Sequence, residues 1–521
     1  MLRAYTAAAI RAAEQPLLDA GHGPALMQRA AYGLAEAVVS VLHERDVGVY
    51  GARVVLLIGS GNNGADALFA GARLAARGVR TTALLTGGRT HGDALVAFGR
   101  SGGRVLSAPE DENKFLSEAA RADAVVDGLL GTGGRGALTD STAAIVARLN
   151  EIKQNAIAGM GTGLAVVACD LPSGIDASTG EVYGPVLAAD VTVTFGAAKT
   201  GLLCPPAEQL CGQLVVVDIG LDDFLGEPDA YRLLSGDVAE LLPHPATDDQ
   251  KYTRGVAGIV AGSAQYPGAA LLAVAAASAC GPGMVRYLGD PAVSAALHVR
   301  NPEAVCSDQI PSQVRVQAWL VGPGIDGDSA QLARAQHAMG SGLPTVVDAG
   351  ALPLVRAADT EDSNHNGVLV LTPHAGELAT LMTRLGADTT RADVEACPLA
   401  AARKAVQLTG ATVILKGPTT VVAAPNGTVF TQADGTASLA TAGSGDTLAG
   451  ILVALLAMGA GRTLPNRHLL GGTATENVAV ASALGAVLHG RLARISPAEP
   501  LNAGMLAARI PRVWGELIAT N

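Results

Sequence analysis

The chain has 521 residues, of which 49% are apolar and only 16% charged, with 64 Gly, 26 Pro and few aromatics. That length exceeds one ordinary core and that composition excludes a largely disordered chain, so two α/β domains built from Ala, Val and Leu are expected. A net charge of −11 without a basic stripe excludes a general nucleic-acid binder, and the apolar runs are too short to span a bilayer.

The six cysteines are scattered with no CxxC pair, which argues against a structural zinc or disulfide framework and suits a reducing cytoplasm. Arg11 and Glu14 interrupt the N-terminal apolar stretch, so it is no secretory h-region. A soluble cytoplasmic protein is expected.

Residues 24–43 have helical periodicity. The run ARVVLLI (52–58) reads as a buried parallel strand. It leads into Gly59-Ser60-Gly61-Asn62-Asn63-Gly64-Ala65-Asp66, with ALFAGARLAARG following as a helix. Strand, glycine-rich loop and helix is an arrangement that seats phosphate at a helix N-terminus. A plain GxG is equally a tight turn, but Asn62, Asn63 and Asp66 add oxygen ligands that no turn requires. VRTTALLT and DAVVDGLL are the next strands, the second ending at Asp127 before the loop Gly131-Thr132-Gly133-Gly134-Arg135-Gly136. LAVVACD runs into Asp170-Leu171-Pro172-Ser173, VTVTFGAAKTG carries Lys199 past a further strand, and LVVVDIG closes the series. Each Asp alone is most simply a helix cap. Jointly, oxygen-rich loops at the C-terminal ends of parallel strands point to a site, and oxygens without thiols or imidazoles suit a hard cation.

GSGNNGAD, VDGLLGTGGRG, DLPSGIDASTG and TFGAAKTG together resemble the motifs of NAD(P)H-hydrate epimerases across nearly all of residues 1–225. The resemblance implies a Rossmann-like three-layer sandwich. It implies that Asn62, Asn63, Gly64, Ala65 and Asp66, with Gly131, Thr132, Gly133, Gly134, Arg135, Gly136 and Ala137, contact a hydrated nicotinamide nucleotide. By the same resemblance Asn63, Asp127 and Ser173 hold a potassium ion, and Asp170 is the acid/base. The family usually has glycine where this chain has Ala65 and Ala67, and their methyls are expected beside the ligand loop.

Periodicity lapses between about 221 and 250, so 226–250 is expected to be a linker with a short docking segment. From KYTRG (251–255) onward a second alternating series begins: GVAGIVAG, a small-residue helix, VRYLG, VQAWLVG, PTVVD, VLVLT and TVILK. Its loops carry Gly322-Pro323-Gly324, Asp348, Pro373-His374 and Lys416-Gly417-Pro418-Thr419-Thr420. PNGTVF marks a hairpin turn at Asn426-Gly427. Gly443-Ser444-Gly445-Asp446 precedes the apolar run TLAGILVALLAMGA, read as a buried helix whose first N–H groups face the loop. Asp446 at its mouth is both a good cap and a candidate general base. From about 465 the Ala/Leu-rich helices are assigned packing alone.

KYTRG, GPGI, LTPHAGEL, LKGPTT and TAGSGDTLAG resemble ribokinase-like kinases, and more closely the ADP- or ATP-dependent NAD(P)H-hydrate dehydratases, over roughly 235–521. That resemblance implies a ribokinase-like α/β domain over 251–521. Lys416 to Thr420 and Gly445 would bind the adenine nucleotide, and Ala269, Gly322, His374 and Asp446 would face the hydrated substrate. Taken together, the two resemblances imply epimerisation of R and S hydrates of NADH and NADPH, and ADP-dependent dehydration of the S hydrate. Potassium, magnesium and ADP (or ATP) are the implied cofactors, and a homo-oligomer without nucleic-acid or membrane partners is expected. The competing reading is a small-molecule (pyrimidine or sugar) kinase fused to a non-catalytic ligand-binding or scaffold domain.

Overall fold

The computed structural model describes residues 1–134, 136–158, 163–358, 368–459, 473–495 and 499–519. The chain forms two compact units, one of Arg3–Asp229 and one of Met1–Leu2 with Ala230–Asn521. Both are α/β. No helix among the described residues is long and apolar enough to cross a membrane.

In the first unit seven parallel strands lie in the order Arg104–Ser107, Arg80–Leu85, Arg53–Ile58, Ala124–Gly128, Ala165–Cys169, Val191–Phe195 and Gln213–Val217. The pleat sorts each strand between two cores. Val54, Leu56 and Ile58 join one cluster with Val126 and Val167, while Val55 and Leu57 join the other with Val125 and Val166. Both faces are covered, which is why these strands read as unbroken apolar runs. The edge strand Arg104–Ser107 has no such signature, because Leu106 is its one buried residue. Strand order reverses between Arg53–Ile58 and Ala124–Gly128, so the loops leaving their C-terminal ends part and open a crevice.

The second unit repeats the plan. Val305–Ser307, Met284–Leu288, Val256–Val260, Ala318–Val321, Thr345–Val347, Leu369–Leu371 and Thr412–Leu415 run parallel in that order. An antiparallel hairpin, Thr420–Ala423 and Val429–Gln432, extends the sheet, with Gly427 in the left-handed region at its turn. The stretch 226–250 is largely incorporated here. Ala230–Arg232 forms a strand against Val429–Gln432, and the helix Ser235–Leu241 places Val238 and Leu241 in the core. The apolar run after the second glycine loop is the helix Ser444–Gly459, buried continuously from Thr447 to Met458. It packs on the helices Pro267–Ala279 and Ala474–Leu492.

Candidate active sites

The crevice of the first unit gathers the loops singled out in the sequence. The helix Asn62–Ala76 begins at Asn62, so the loop is only Gly59 to Gly61 and the Asn-Asn-Gly-Ala-Asp stretch is the first turn of the helix. Its first N–H groups have no partner within the helix. Helical periodicity corrects the expectation for Ala65 and Ala67: both methyls are buried in the hydrophobic cluster around Ile58, not beside the ligand loop. Gly64 cannot carry a side chain, since a Cβ there would lie 2.2 Å from the Gly59 carbonyl oxygen.

Asp170 is the most constrained residue of this site. It follows the strand Ala165–Cys169 with φ +68°, a left-handed conformation that costs a non-glycine residue roughly 1 kcal/mol. Lys199 Nζ donates to its Oδ1 at 2.6 Å, and Thr132 donates to Oδ2 through its N–H at 2.8 Å and its hydroxyl at 2.5 Å. Burial would raise the Asp170 pKa, but the Lys199 ammonium and the Thr132 donors more than offset it and hold the carboxyl below its usual range. Lys199 is itself buried and also donates to Thr194 Oγ1 and the Phe195 carbonyl, both at 2.9 Å. The strand Leu2–Tyr5 pairs beside it, Tyr5 opposite Lys199.

Asp127, fully buried, accepts from Ser173 Oγ at 2.7 Å and Ser173 N at 2.8 Å. Burial nevertheless raises its pKa. Gly131 lies beside two functional groups at once, for a Cβ there would sit 3.0 Å from Asp170 Oδ2 and 3.1 Å from Asn63 Oδ1. Neither polar atom of the buried Asn63 side chain has a hydrogen-bond partner. Asp66 is buried close by, its pKa pushed well up by burial, by Asp170 and by Glu14. Glu14, on the helix Ala7–Asp19, is likewise raised by burial, opposed by Lys199. Asn62, Gly133, Gly136 and Ala137 are exposed at the rim, and Gly134 closes a turn onto the Gly131 carbonyl. Arg135 lies outside the described residues.

In the second unit the corresponding crevice lies after Val256–Val260 and Ala318–Val321. Gly322, at φ +117°, is pressed on the Asp348 backbone, and Gly324 on Ala269, where a Cβ would come within 2.7 Å of the alanine methyl. Asp348 is buried and accepts from Thr372 Oγ1 at 2.7 Å and Lys416 Nζ at 2.9 Å. Lys416 Nζ is 3.8 Å from Glu377 and lies against Gly445, where a Cβ would come within 3.3 Å of it. Burial would lower the Lys416 pKa, but Asp348 and Glu377 raise it above its usual value. Gly443, at φ +88°, bends the chain into the helix Ser444–Gly459, and Asp446 stands in its first turn. Burial and the neighbouring Asp348 raise the Asp446 pKa to about 6, against the pull of Lys416. His374 caps the helix Ala375–Arg384, its Nδ1 accepting from Gly376 and Glu377 N–H, and its ring is exposed. Gly417 and Pro418 form an exposed turn, with Thr419 buried and Thr420 opening the next strand.

A family model described as NAD(P)H-hydrate dehydratase matches residues 257–513, and one described as YjeF-related protein N-terminus matches 23–201. The bifunctional NAD(P)H-hydrate repair enzyme Nnr of Mycobacterium leprae (strain TN) is 41% identical over 500 residues, covering 95% of this chain and 94% of that protein. The chain belongs to the bifunctional NAD(P)H-hydrate repair enzymes. Another member, from Mycobacterium tuberculosis (strain ATCC 25618 / H37Rv), is 43% identical over 87% of this chain and 89% of its own. An NAD(P)H-hydrate epimerase of Clavibacter michiganensis is 43% identical over 42% of this chain and 90% of its own. An ADP/ATP-dependent NAD(P)H-hydrate dehydratase from Bacillus subtilis, crystallised with ATP and magnesium, superimposes with a TM-score of 0.47. It is 27% identical over 55% of this chain and 99% of that one. Relatives spanning both halves leave the kinase-plus-scaffold reading unfavoured.

For this repair enzyme, sequence reasoning gave no role to Thr194 or Asp348, and none to Glu14 or His489. Asp348 ends a strand at a loop, as Asp127 and Asp170 do, and that signal could have found it. His489 lies in a helix assigned to packing, yet its Nε2 is 3.1 Å from Ser444 Oγ in the Gly443–Asp446 turn. No local pattern marks it.

Proposed function

We propose that this chain repairs hydrated NADH and NADPH through one activity in each unit, epimerisation in the first and nucleotide-dependent dehydration in the second. Family membership supports the pairing of activities. The observation that carries the chemistry is a carboxyl group with a lysine near it in each crevice, Asp170 hydrogen-bonded to Lys199 and Asp446 within the electrostatic reach of Lys416.

In the first unit Asp170 is ionised, and Lys199 holds it in one orientation, so it is the group that moves a proton at the C6 centre of the hydrate. Asn63, Asp127 and Ser173 fit a potassium ion. The Asn63 carbamoyl oxygen is buried without a partner, and the set carries a single carboxylate. No cluster of three His, Cys, Asp or Glu side chains that could cage a divalent ion occurs among the described residues. The ion would supply positive charge beside the phosphates of the bound hydrate.

In the second unit Asp446 accepts the C6 hydroxyl proton while that oxygen attacks the terminal phosphoryl group of ADP. The P–O bond to AMP breaks and a C6 phosphate ester forms. The Gly445 and Asp446 amides and the Lys416 ammonium stabilise the charge of the transferred group. Hydroxide is a poor leaving group and phosphate a good one. The ring nitrogen lone pair expels phosphate, and loss of the C5 proton restores the double bond, giving NAD(P)H, AMP and phosphate. Magnesium would come with the nucleotide and would supply positive charge that offsets that of the phosphates.

The test is recovery of NADH absorbance from chemically hydrated NADH with magnesium and ADP. The wild-type protein should return both epimers to NADH, and Asp170→Asn only the S fraction. No recovery with either ADP or ATP would reject the reading.

A further inference from the structure

The loop proposed to hold the transferred phosphoryl group is tied locally, Ser444 N–H to the Thr441 carbonyl and Thr447 to the Gly443 carbonyl, but these bonds lie within the turn itself. Gly443 and Gly445 have no side chains, and Asp446 has to stay available for the substrate. Ser444 is the residue of the turn whose side chain points inward, and it is buried. Behind it stands His489, from the helix Ala474–Leu492, also buried, with Nε2 3.1 Å from Ser444 Oγ.

Burial drives the His489 pKa down to about 4, and the nearby Lys416 ammonium adds to the fall. The ring is therefore neutral at physiological pH, and it engages the hydroxyl of Ser444. An apolar side chain would fill this interior position without the desolvation that a buried polar pair requires. The polar pair sits one residue before the amides that would face a phosphoryl group, a placement that packing alone does not explain.

We infer that His489 is a positioning residue for phosphoryl transfer, clamping Ser444 so that the Gly445 and Asp446 amides and the Asp446 carboxylate are held against the nucleotide. The inference rests on the dehydration reading above. His489 touches neither substrate nor nucleotide and acts through Ser444. Because the clamp serves alignment, its loss should lower kcat rather than weaken ground-state binding.

The experiment uses the full chain with His489→Phe, His489→Gln, Ser444→Ala and the Ser444→Ala/His489→Phe double variant. Dehydration of hydrated NADH is measured against both hydrate and ADP concentration. His489→Phe should lower kcat by ~10–10²-fold with both KM values nearly unchanged, as expected for a displaced catalytic group. His489→Gln, which keeps a polar side chain, should recover part of that loss. Ser444→Ala should lose about as much as His489→Phe, and the double variant no more than the worse single, because the pair acts as one unit. R/S exchange by the same preparations should be unchanged.

A His489→Phe protein with kcat within about twofold of wild type overturns the inference while leaving the dehydration reading intact. Additive losses, or a loss in kcat that tracks melting temperature and is not rescued by Gln, overturn it too. If His489→Phe does not fold, Ser444→Ala and His489→Gln decide by the same criteria. A wild-type protein with no dehydration at all removes the underlying reading, and this inference with it.

Discussion

Replacing Asp446 by Asn should abolish dehydration and, at neutral pH, stabilise the protein. The side chain keeps its size and capping ability but cannot accept a proton, and a positioned general base contributes ~10²–10⁴-fold in rate. The stability effect follows from the raised pKa. Protonation of Asp446 is favoured in the folded state up to about pH 6, against 3.8 for the free group. The stabilisation this provides is complete below the unfolded value and is lost as pH rises through the folded one. Above pH 7 the wild-type protein therefore holds an ionised carboxylate in a site that disfavours it. At ~1.4 kcal/mol per pKa unit the cost is at most about 3 kcal/mol, less whatever residual solvent access screens. Asn carries no such charge. The transition that ADP shifts should rise on the order of a few degrees at pH 8 in Asp446→Asn, and the difference should shrink as pH falls below 6. In the wild-type protein, kcat/KM for dehydration should fall about tenfold per pH unit below the Asp446 pKa. A variant that dehydrates within a few-fold of wild type, or that melts lower at pH 8, would refute the base assignment.

Asp348→Asn should move the acid limb of the dehydration pH profile below pH 6, because Asp348 raises the Asp446 pKa and also engages the opposing Lys416; an unmoved limb would disconnect the two. Lys199→Met should remove the main force holding the Asp170 pKa down, so any residual epimerisation should need higher pH, and breaking the buried pair should destabilise by ~3–5 kcal/mol in chemical denaturation. Asp127→Ala should abolish the potassium dependence of epimerisation and weaken hydrate binding; unaltered protein that epimerises equally fast in potassium-free buffer would contradict the ion assignment. Gly131→Ala should slow R/S exchange by ~10-fold or more by pressing a methyl on Asp170 and Asn63, while dehydration is unaffected.

Both crevices were legible because their signals are local. A β-branched run, a glycine-spaced loop and an acidic or amide side chain fall within ten residues of one another, and parallel-sheet topology brings the strand ends together. What local pattern cannot carry is direction. Reading residues 62–66 as loop hides that Ala65 and Ala67 lie on a helix whose buried face they share with Leu68 and Leu74, so the methyls seemed to threaten a site they do not face. The stretch 226–250 looks unstructured because a three-residue strand and a seven-residue helix are too short to establish a period. Long-range pairs were invisible for another reason. Ser444 and His489 are 45 residues apart, and the histidine sits in the last turns of a largely apolar packing helix, between Leu488 and Gly490.

The two units use one pair of residue types to opposite ends. In the first, Lys199 contacts Asp170 directly at 2.6 Å, Thr132 adds two donors, and the carboxylate stays ionised and fixed. In the second, the lysine's hydrogen bond goes to Asp348, which lies near enough to Asp446 to raise its pKa, so the attraction of Lys416 is offset and burial prevails. The result is a carboxyl that titrates near the working pH, the condition for efficient proton acceptance in phosphoryl transfer. Such a group is conditionally stable at best. The carboxyl proposed to take the substrate proton, Asp446, is not the one that Lys416 hydrogen-bonds, so it keeps its raised pKa while Asp348 takes the lysine. Gly443 gives the turn its shape, main-chain bonds from Ser444 to Thr441 and from Thr447 to Gly443 tie it to its own stretch of chain, and His489 on Ser444 adds the contact from the far helix.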